Sequence, residues 1–455
     1  MGRLPTRGVW SLGAQRLALP GPLRPPGPRG SWGSGNLAAY EADRLKFLIQ
    51  AKDQFGPAVR FGPRTTILFA PAAVASVLRA TEDFVISENF LQRRLSVAEQ
   101  AEGRSLRAVL SPGLRLPALG QVPAVVDRHL VPAVDRLGPA WFDPLPVMES
   151  VISGAVAELY FGADGASLPA MLAELLDELS RVIGNPFALP ERWSSPLRRR
   201  IEARHELLRA EVERLLAARL DAPRGAIDDV ATGVISRAGS RHSLSRVADM
   251  VIGSLLASQR VPAAAASWLL MTLADHPRVQ DQIAAEMWSL QSVQCPASRT
   301  DPVVARRAVL EVLRLYPPTW LLVRTASRPV EVAGYSFAAG HHFMISPYVQ
   351  HRDADVFVDP AMFRPERWIQ PPHGPGQYLP FGGGVHVCPG RHLATGILIA
   401  IAQGLTTRYR IIRTPAQVIP NPRTTLLPDG LRTALRPAGD RSDQLPALAG
   451  VSSPR

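Results

Sequence analysis

The side chains best placed for chemistry sit in one stretch, FGGGVHVCPG, from Phe381 to Gly390. Cys388 is one of 2 cysteines in the chain; the other is Cys295. A cysteine acts as nucleophile or metal ligand as the thiolate, which needs nearby positive charge or N–H groups. Gly390 follows two residues later and opens an apolar run, Leu393 to Leu405, that reads as a helix. That arrangement aims the amides of a helix N-terminus at the sulfur. Gly382, Gly383 and Gly384 carry no Cβ, so their backbone can approach a flat ligand more closely than other residues allow. The competing reading is a structural cysteine buried in a glycine-rich loop.

A second candidate cluster is charged. Glu311 and Arg314 stand at i and i+3 in an apolar segment ending at Pro317-Pro318, so they share a helix face. Such a pair is, by itself, a common ornament of solvated helices. Downstream, FRPERW supplies Arg367, which can complete a Glu–Arg–Arg cluster.

The pattern Phe-x-x-Gly-x-x-x-Cys-x-Gly, filled by Phe381, Gly384, Cys388 and Gly390, resembles the haem-thiolate loop of the cytochrome P-450 superfamily. Ala394 takes the small position that often follows. The resemblance runs from about Tyr40 to Pro437. It implies that family's fold, mainly α with small β-sheets (α+β), with a long central helix over the haem. It implies one haem b (iron protoporphyrin IX) with Cys388 as axial ligand to the metal. Phe381, Gly382, Gly384, His386, Gly390 and Ala394 would then line the cofactor, while Glu311, Arg314 and Arg367 lock the loop region. By position, Arg107, Arg324 and His386 match donors to the haem carboxylates. Gly103 stands where the family often has Trp or His, so one donor is missing.

These residues need a helix to hold them against the reacting side. Residues 250–274 carry a single charge, Arg260, and could span a bilayer by length. An arginine at the centre of such a span costs about 2.5–3.5 kcal/mol, so a long buried helix is the better reading. In the family this helix carries an acid followed by an alcohol, which relay protons during oxygen activation. Counting back from His276-Pro277 puts Arg260 at the acid and Val261 at the alcohol, and neither can serve. Pro262 lacks an N–H, which predicts a kink near Ser258. Three readings stay open. Protons arrive through water, Ser258, Gln259 or a substrate hydroxyl; Arg260 grips a substrate carboxylate, as in the superfamily's fatty-acid peroxygenases; or Arg260 faces away and pairs with Glu174 or Glu178. The peroxygenase match is imperfect, because there Pro follows Arg directly and here Val261 intervenes.

The chain of 455 residues is 46% hydrophobic and 20% charged, enough for a large core. Length alone suggests about three domains, but no interior linker is visible. The expected division is a Pro/Gly/Arg-rich leader at 1–36, a single haem-thiolate catalytic domain at 37–437 and a polar tail at 438–455. Pro20, Pro22, Pro25, Pro26 and Pro28 oppose an amphipathic targeting helix in the leader. The cysteine count leaves no disulfide framework. A cytoplasmic protein without a transmembrane anchor is therefore expected. The net charge of +12 is almost all arginine, since Lys46 and Lys52 are the sole lysines, which suits GC-rich coding in an actinobacterial-like source. Its basic residues are dispersed and no nucleic-acid motif is present, so nucleic-acid binding is not expected.

The function implied is monooxygenation of an apolar small molecule, with terpenoids or other secondary metabolites as candidate substrates. Its pocket is expected from Phe84 to Ser96, near Pro186 to Leu189, along 255–262 and from Thr319 to Val323. Electrons would come from a separate ferredoxin and ferredoxin reductase, steered by Arg104 and Arg391. The alternatives are a peroxide-driven peroxygenase and a haem protein that binds ligands without activating oxygen. Reduced, carbon-monoxide-bound protein should show the red-shifted Soret band of thiolate ligation, and Cys388→Ala should lose it. Persistence of that band in the variant would overturn the ligand assignment.

Overall fold

The structure of the chain, a computed structural model, describes residues 24–31, 35–80, 82–85, 105–106, 108–112, 114, 117–183, 195–222, 229–239, 242–292, 302–371 and 374–438. Its principal helices are α1 (Arg44–Phe55), α2 (Pro71–Arg79), α3 (Pro117–Asp135), α4 (Pro144–Phe161), α5 (Leu168–Ile183) and α6 (Pro196–Asp221). They continue with α7 (Val230–Ala238), α8 (Leu244–Ala257), α9 (Arg260–Asp275), α10 (Pro277–Ser292), α11 (Val303–Leu315) and α12 (Arg391–Thr406). Local chemistry sets several of the starts. Pro144 and Pro196 occupy first-turn positions where no N–H is needed, behind caps from Asp143 to Leu145 N and from Ser195 to Arg198 N.

Four helices make the centre: α12 lies along α3, α3 along α4, α4 along α9, and α9 returns to α12. Every residue of α9 from Ala263 to Leu273 is buried, the pattern of a helix enclosed on all sides. Trp268 stacks on Tyr316 with centroids 4.0 Å apart, and its Nε1 donates to the Leu426 carbonyl at 3.0 Å.

The sheets are small. Strands β1 (Ala58–Gly62), β2 (Thr65–Leu68), β3 (Phe84–Val85), β4 (Leu322–Ala326) and β5 (His342–Ile345) form one sheet in the order β1-β2-β5-β4-β3. Strands β2 and β5 run parallel with Ile67 opposite Met344, while β4 and β5 run antiparallel with Arg324 opposite Phe343. Two antiparallel ribbons, 409–413 with 433–437 and 419–422 with 426–429, close the C-terminal side. Part of the expected leader lies against the sheet, where Arg60 N donates to the Pro26 carbonyl at 2.7 Å. Residues 1–23 and the tail beyond Ala438 lie outside the described residues. Among the described residues, no helix is long and apolar enough to cross a membrane.

One sequence expectation needs correction. The stretch across 250–274 is not one kinked helix but two, α8 and α9, parted at Ser258 and Gln259. Gln259 leaves helical geometry with φ −89° and ψ −85°. Pro262 offers no N–H to the Ser258 carbonyl, so the ladder has already lost a rung there. The Ser258 Oγ and Gln259 Nε2 then turn back onto the carbonyls of Ser254 and Leu255, at 2.7 and 2.9 Å, and finish α8. Where a bend was expected, the helix stops and restarts.

Trp268→Phe keeps the stacked ring but leaves the buried Leu426 carbonyl without its donor. It should lower stability by about 1–3 kcal/mol, read from denaturant midpoints at unchanged secondary structure.

Candidate functional site

Cys388 sits between a short turn, Gly384–His386, and the start of α12, so its thiol lies at a helix N-terminus. Its own amide donates to the Phe381 carbonyl at 2.9 Å, and Val387 N donates to the Gly384 carbonyl at 3.2 Å. Ala394 N donates to the Gly390 carbonyl at 2.8 Å, which opens the helix directly behind the sulfur. A Cβ built on Gly390 would stand 3.9 Å from Cys388 Sγ, so the glycine leaves room beside the thiol.

The other glycines also shape how the loop sits on the protein. Gly382 and Gly384 take φ of +71° and +67°, which side chains rarely adopt. A Cβ on Gly384 would lie 1.8 Å from the Leu78 carbonyl oxygen. Its close approach is thus to the end of α2, and Gly383 packs on Leu78 and Leu379. The loop is seated on protein backbone, which fixes where it can present the sulfur.

Behind the loop, Glu311 is fully buried and accepts five hydrogen bonds. They come from Arg314 Nε (2.9 Å) and Nη2 (2.8 Å), Arg364 N (2.9 Å), Arg367 Nε (2.8 Å) and Trp368 Nε1 (3.0 Å). Arg314 spends its remaining donors on the carbonyls of His351, Pro360 and Met362, at 2.7, 2.7 and 3.0 Å. Glu311, Arg314 and Arg367 are therefore brought together as the spacing suggested. Trp368 and His351 were missed. Trp368 was legible only as a neighbour of Arg367 in FRPERW, and His351 gave no local signal.

His351 carries the cluster to the cysteine loop. Its Nε2 accepts from Leu379 N at 2.7 Å, so Nδ1 bears the proton and donates to the Arg314 carbonyl at 3.1 Å. Burial depresses its pKa to about 3, with the facing Arg314 and Arg352 charges adding to the effect against the hydrogen bond to the Arg314 carbonyl. Gly382 N then donates to the Leu379 carbonyl at 3.0 Å, two contacts from Cys388.

Of the carboxylate-binding candidates, Arg324 on β4 is buried and donates Nη1 to the Val323 carbonyl at 2.9 Å, and His386 is half-buried in the turn before the cysteine. Arg107, Gly103 and Arg104 lie outside the described residues, as do Ser96 and Pro186 to Leu189. Phe84 is buried, and Trp320 is buried with Leu321 to Val323 half-buried beside it. At the break, Ser258 and Gln259 direct their donors at backbone. Val261 is exposed, and Arg260 is half-exposed with Nε 3.9 Å from Glu149 Oε1 on α4. The partners expected for Arg260 are otherwise engaged: Glu178 meets Arg200 at 3.1 Å, and Glu174 pairs with Arg204. Both lie on α5, whereas α4 is the helix packed along α9.

The donor set suits one particular cofactor. Among the described residues no group of three His, Cys, Asp or Glu side chains could hold a metal. A single thiol at a helix N-terminus can keep an iron only if a macrocycle supplies the other ligands. A buried guanidinium at Arg324 and the half-buried imidazole of His386 suit a macrocycle that carries carboxylates.

Comparisons with known proteins agree with this geometry. A sequence model described as cytochrome P450 matches residues 25–429. Cyclooctat-9-en-7-ol 5-monooxygenase of Streptomyces melanosporofaciens is 26% identical over 384 residues, 79% of this chain and 83% of that protein. Lanosterol 14-alpha demethylase of Bos taurus is 25% identical over 417 residues, 83% of this chain and 82% of that protein. Among solved structures, retinoic acid bound cyanobacterial CYP120A1 superposes with a TM-score of 0.74 at 22% identity, over 91% of this chain and 100% of that one.

The buried cluster yields two expectations. Glu311→Gln leaves two arginines without their anion and should cost about 3–5 kcal/mol, seen as lost soluble expression or a collapsed denaturant midpoint. His351 stays neutral in the fold down to about 3 but takes up its proton near 6.5 when unfolded. Its contribution is thus complete above pH 6.5 and is lost as pH falls from there toward 3, by at most about 1.4 kcal/mol per pH unit. A pH series of unfolding midpoints should show a shallower acid slope for His351→Asn than for the natural protein.

Proposed function

Because the chain belongs to the cytochrome P450 family, we propose that it oxidises an apolar small molecule of terpenoid type, with electrons from a separate ferredoxin and ferredoxin reductase. It is a haem b monooxygenase, as its family and relatives are. When bound, the haem supplies O₂ activation and transfer of one oxygen atom to the substrate.

In this reading Cys388 is the thiolate ligand, its backbone held where its amide donates to the Phe381 carbonyl and its carbonyl accepts from Arg391 N at 3.4 Å, at the start of α12. Positive helix ends and donated N–H groups favour the thiolate over the thiol. Arg324 and His386 hold the cofactor carboxylates, with Arg107 as the third donor by position. The substrate side is built from 255–262 and Thr319 to Val323, where Leu255 and Trp320 are buried and Leu256, Leu321 and Val323 are partly covered. Apolar walls of this kind bind by desolvation and exclude bulk water. Two relatives act on terpenoid skeletons by their names, which supports that substrate class. Arg391, at the first turn of α12, would steer an acidic electron donor toward the cysteine side. We place the protein in the cytoplasm.

The family match across residues 25–429 carries this reading. A peroxygenase is the second reading, favoured by the missing acid and alcohol at Arg260 and Val261. Against it, Arg260 already faces a carboxylate of its own chain, Glu149. Incubation with geranylgeraniol, NAD(P)H and a ferredoxin–reductase pair should give hydroxylated product, and omission of the ferredoxin should abolish it. Equal turnover on hydrogen peroxide alone would favour the peroxygenase, and a fatty acid as the better substrate would favour Arg260 as its clamp.

A further inference from the structure

Monooxygenation places one oxygen atom of O₂ in the product and releases the other as water. Each turnover therefore consumes two protons beside the two electrons of a one-electron donor. The positions that supply protons in the family hold Arg260 and Val261 in this chain, and neither has one to give. Ser258 and Gln259 are bound to backbone carbonyls of α8. The Tyr160 hydroxyl meets Ser254 Oγ at 2.6 Å, but Tyr160 is fully enclosed and has no edge in solvent.

A carboxylate does reach the break from another helix. Glu149 extends from α4, with Oε1 3.9 Å from Arg260 Nε and its side chain 34% exposed. One edge of this carboxyl meets solvent and the other faces the first turn of α9. We propose that Glu149 is the proton-supplying acid of this enzyme, standing in from α4 for the acid that α9 lacks.

Glu149 touches no reacting atom, so it acts through water at the break. Its carboxyl O–H gives a proton to water at the break and regains one from bulk solvent, ending each cycle unchanged. Two such transfers accompany O₂ and the two electrons; the carbon gains a hydroxyl and one water leaves. The charged groups that act on Glu149 are Arg260 on α9 and Asp143 on the turn before α4, and Arg432 lies 3.7 Å from Asp143. Burial lifts the Glu149 pKa above the usual carboxylate range, Arg260 opposes the lift and Asp143 adds to it. A raised value is what a proton donor near neutral pH requires.

The inference rests on the family's monooxygenase chemistry but not on the proposed ferredoxin, because any one-electron reductant serves the test. Haem-loaded full-length protein, Glu149→Gln and Glu149→Asp are compared with geranylgeraniol as probe. In the electron-driven reaction, Glu149→Gln should lower product per electron about tenfold, and Glu149→Asp should recover most of it. Hydrogen peroxide brings its own two protons, so peroxide-driven turnover of Glu149→Gln should match the natural protein. Unchanged product per electron, equal loss in Gln and Asp variants, or equal loss in the peroxide arm overturns the proposal. Infrared spectroscopy of the same proteins gives an answer independent of turnover. A protonated-carboxyl band that titrates above the ordinary glutamate range and vanishes in Glu149→Gln is expected, and a band indifferent to that substitution overturns the idea.

Discussion

Glu311 has no solvent contact, and a carboxylate removed from water persists as an anion only when its lone pairs are met. Its five donors come from three stretches: α11 itself, the Arg364 amide, and the Arg367–Trp368 turn. Arg314, equally buried, needs acceptors for every N–H, and it finds three of them as carbonyls of otherwise irregular chain. The Phe357 ring lies 5.1 Å from its guanidinium carbon, adding a polarisable wall to a dry site. Breaking either side strands a buried charge, so the segment from His351 to Trp368 holds its shape with little regular structure beyond the 3-10 turn at Pro365–Ile369.

That rigidity reaches the sulfur along a short hydrogen-bonded path. His351 joins the Arg314 carbonyl to Leu379 N, and the Leu379 carbonyl takes Gly382 N. On its other side the loop rests on α2, where Gly384 meets the Leu78 carbonyl too closely for any Cβ. Two supports of different origin therefore define the place of Cys388: a charge cluster on α11 and a backbone contact on α2. If Cys388 is the ligand, as proposed, a loop held on both sides leaves its sulfur little freedom to move.

What could be read from the sequence follows how locally each feature is determined. The cysteine turn and the start of α12 depend on residues within a few positions of Cys388, and their spacing alone gave the loop, the helix and the ligand candidate. Glu311, Arg314 and Arg367 were also legible, because a helix spacing and a short motif carry them. His351 was not, since a histidine accepting from a distant amide leaves no periodic trace. Pro262 announced a disturbed helix, but not that Ser258 and Gln259 would cap α8 and turn the bend into a break. The partner of Arg260 depended on which helix lies beside α9, a tertiary fact, and so Glu149 could not be chosen over Glu174 or Glu178.

The same helix contact explains why an arginine is tolerated at the start of α9. Ala263 to Ala266 are small and buried on the helix that α4 packs along, so an apolar seam runs between the two helices. Arg260 is one turn outside it, and its long aliphatic stem carries the guanidinium past the apolar contact to the edge, where Glu149 and solvent share it. The break at Ser258 and Gln259 frees α9 from the register of α8, so its first turn can place Arg260 toward α4 while Ala263 onward stays packed. An acid on α4 and a cation on α9 thus meet at the edge of this interface.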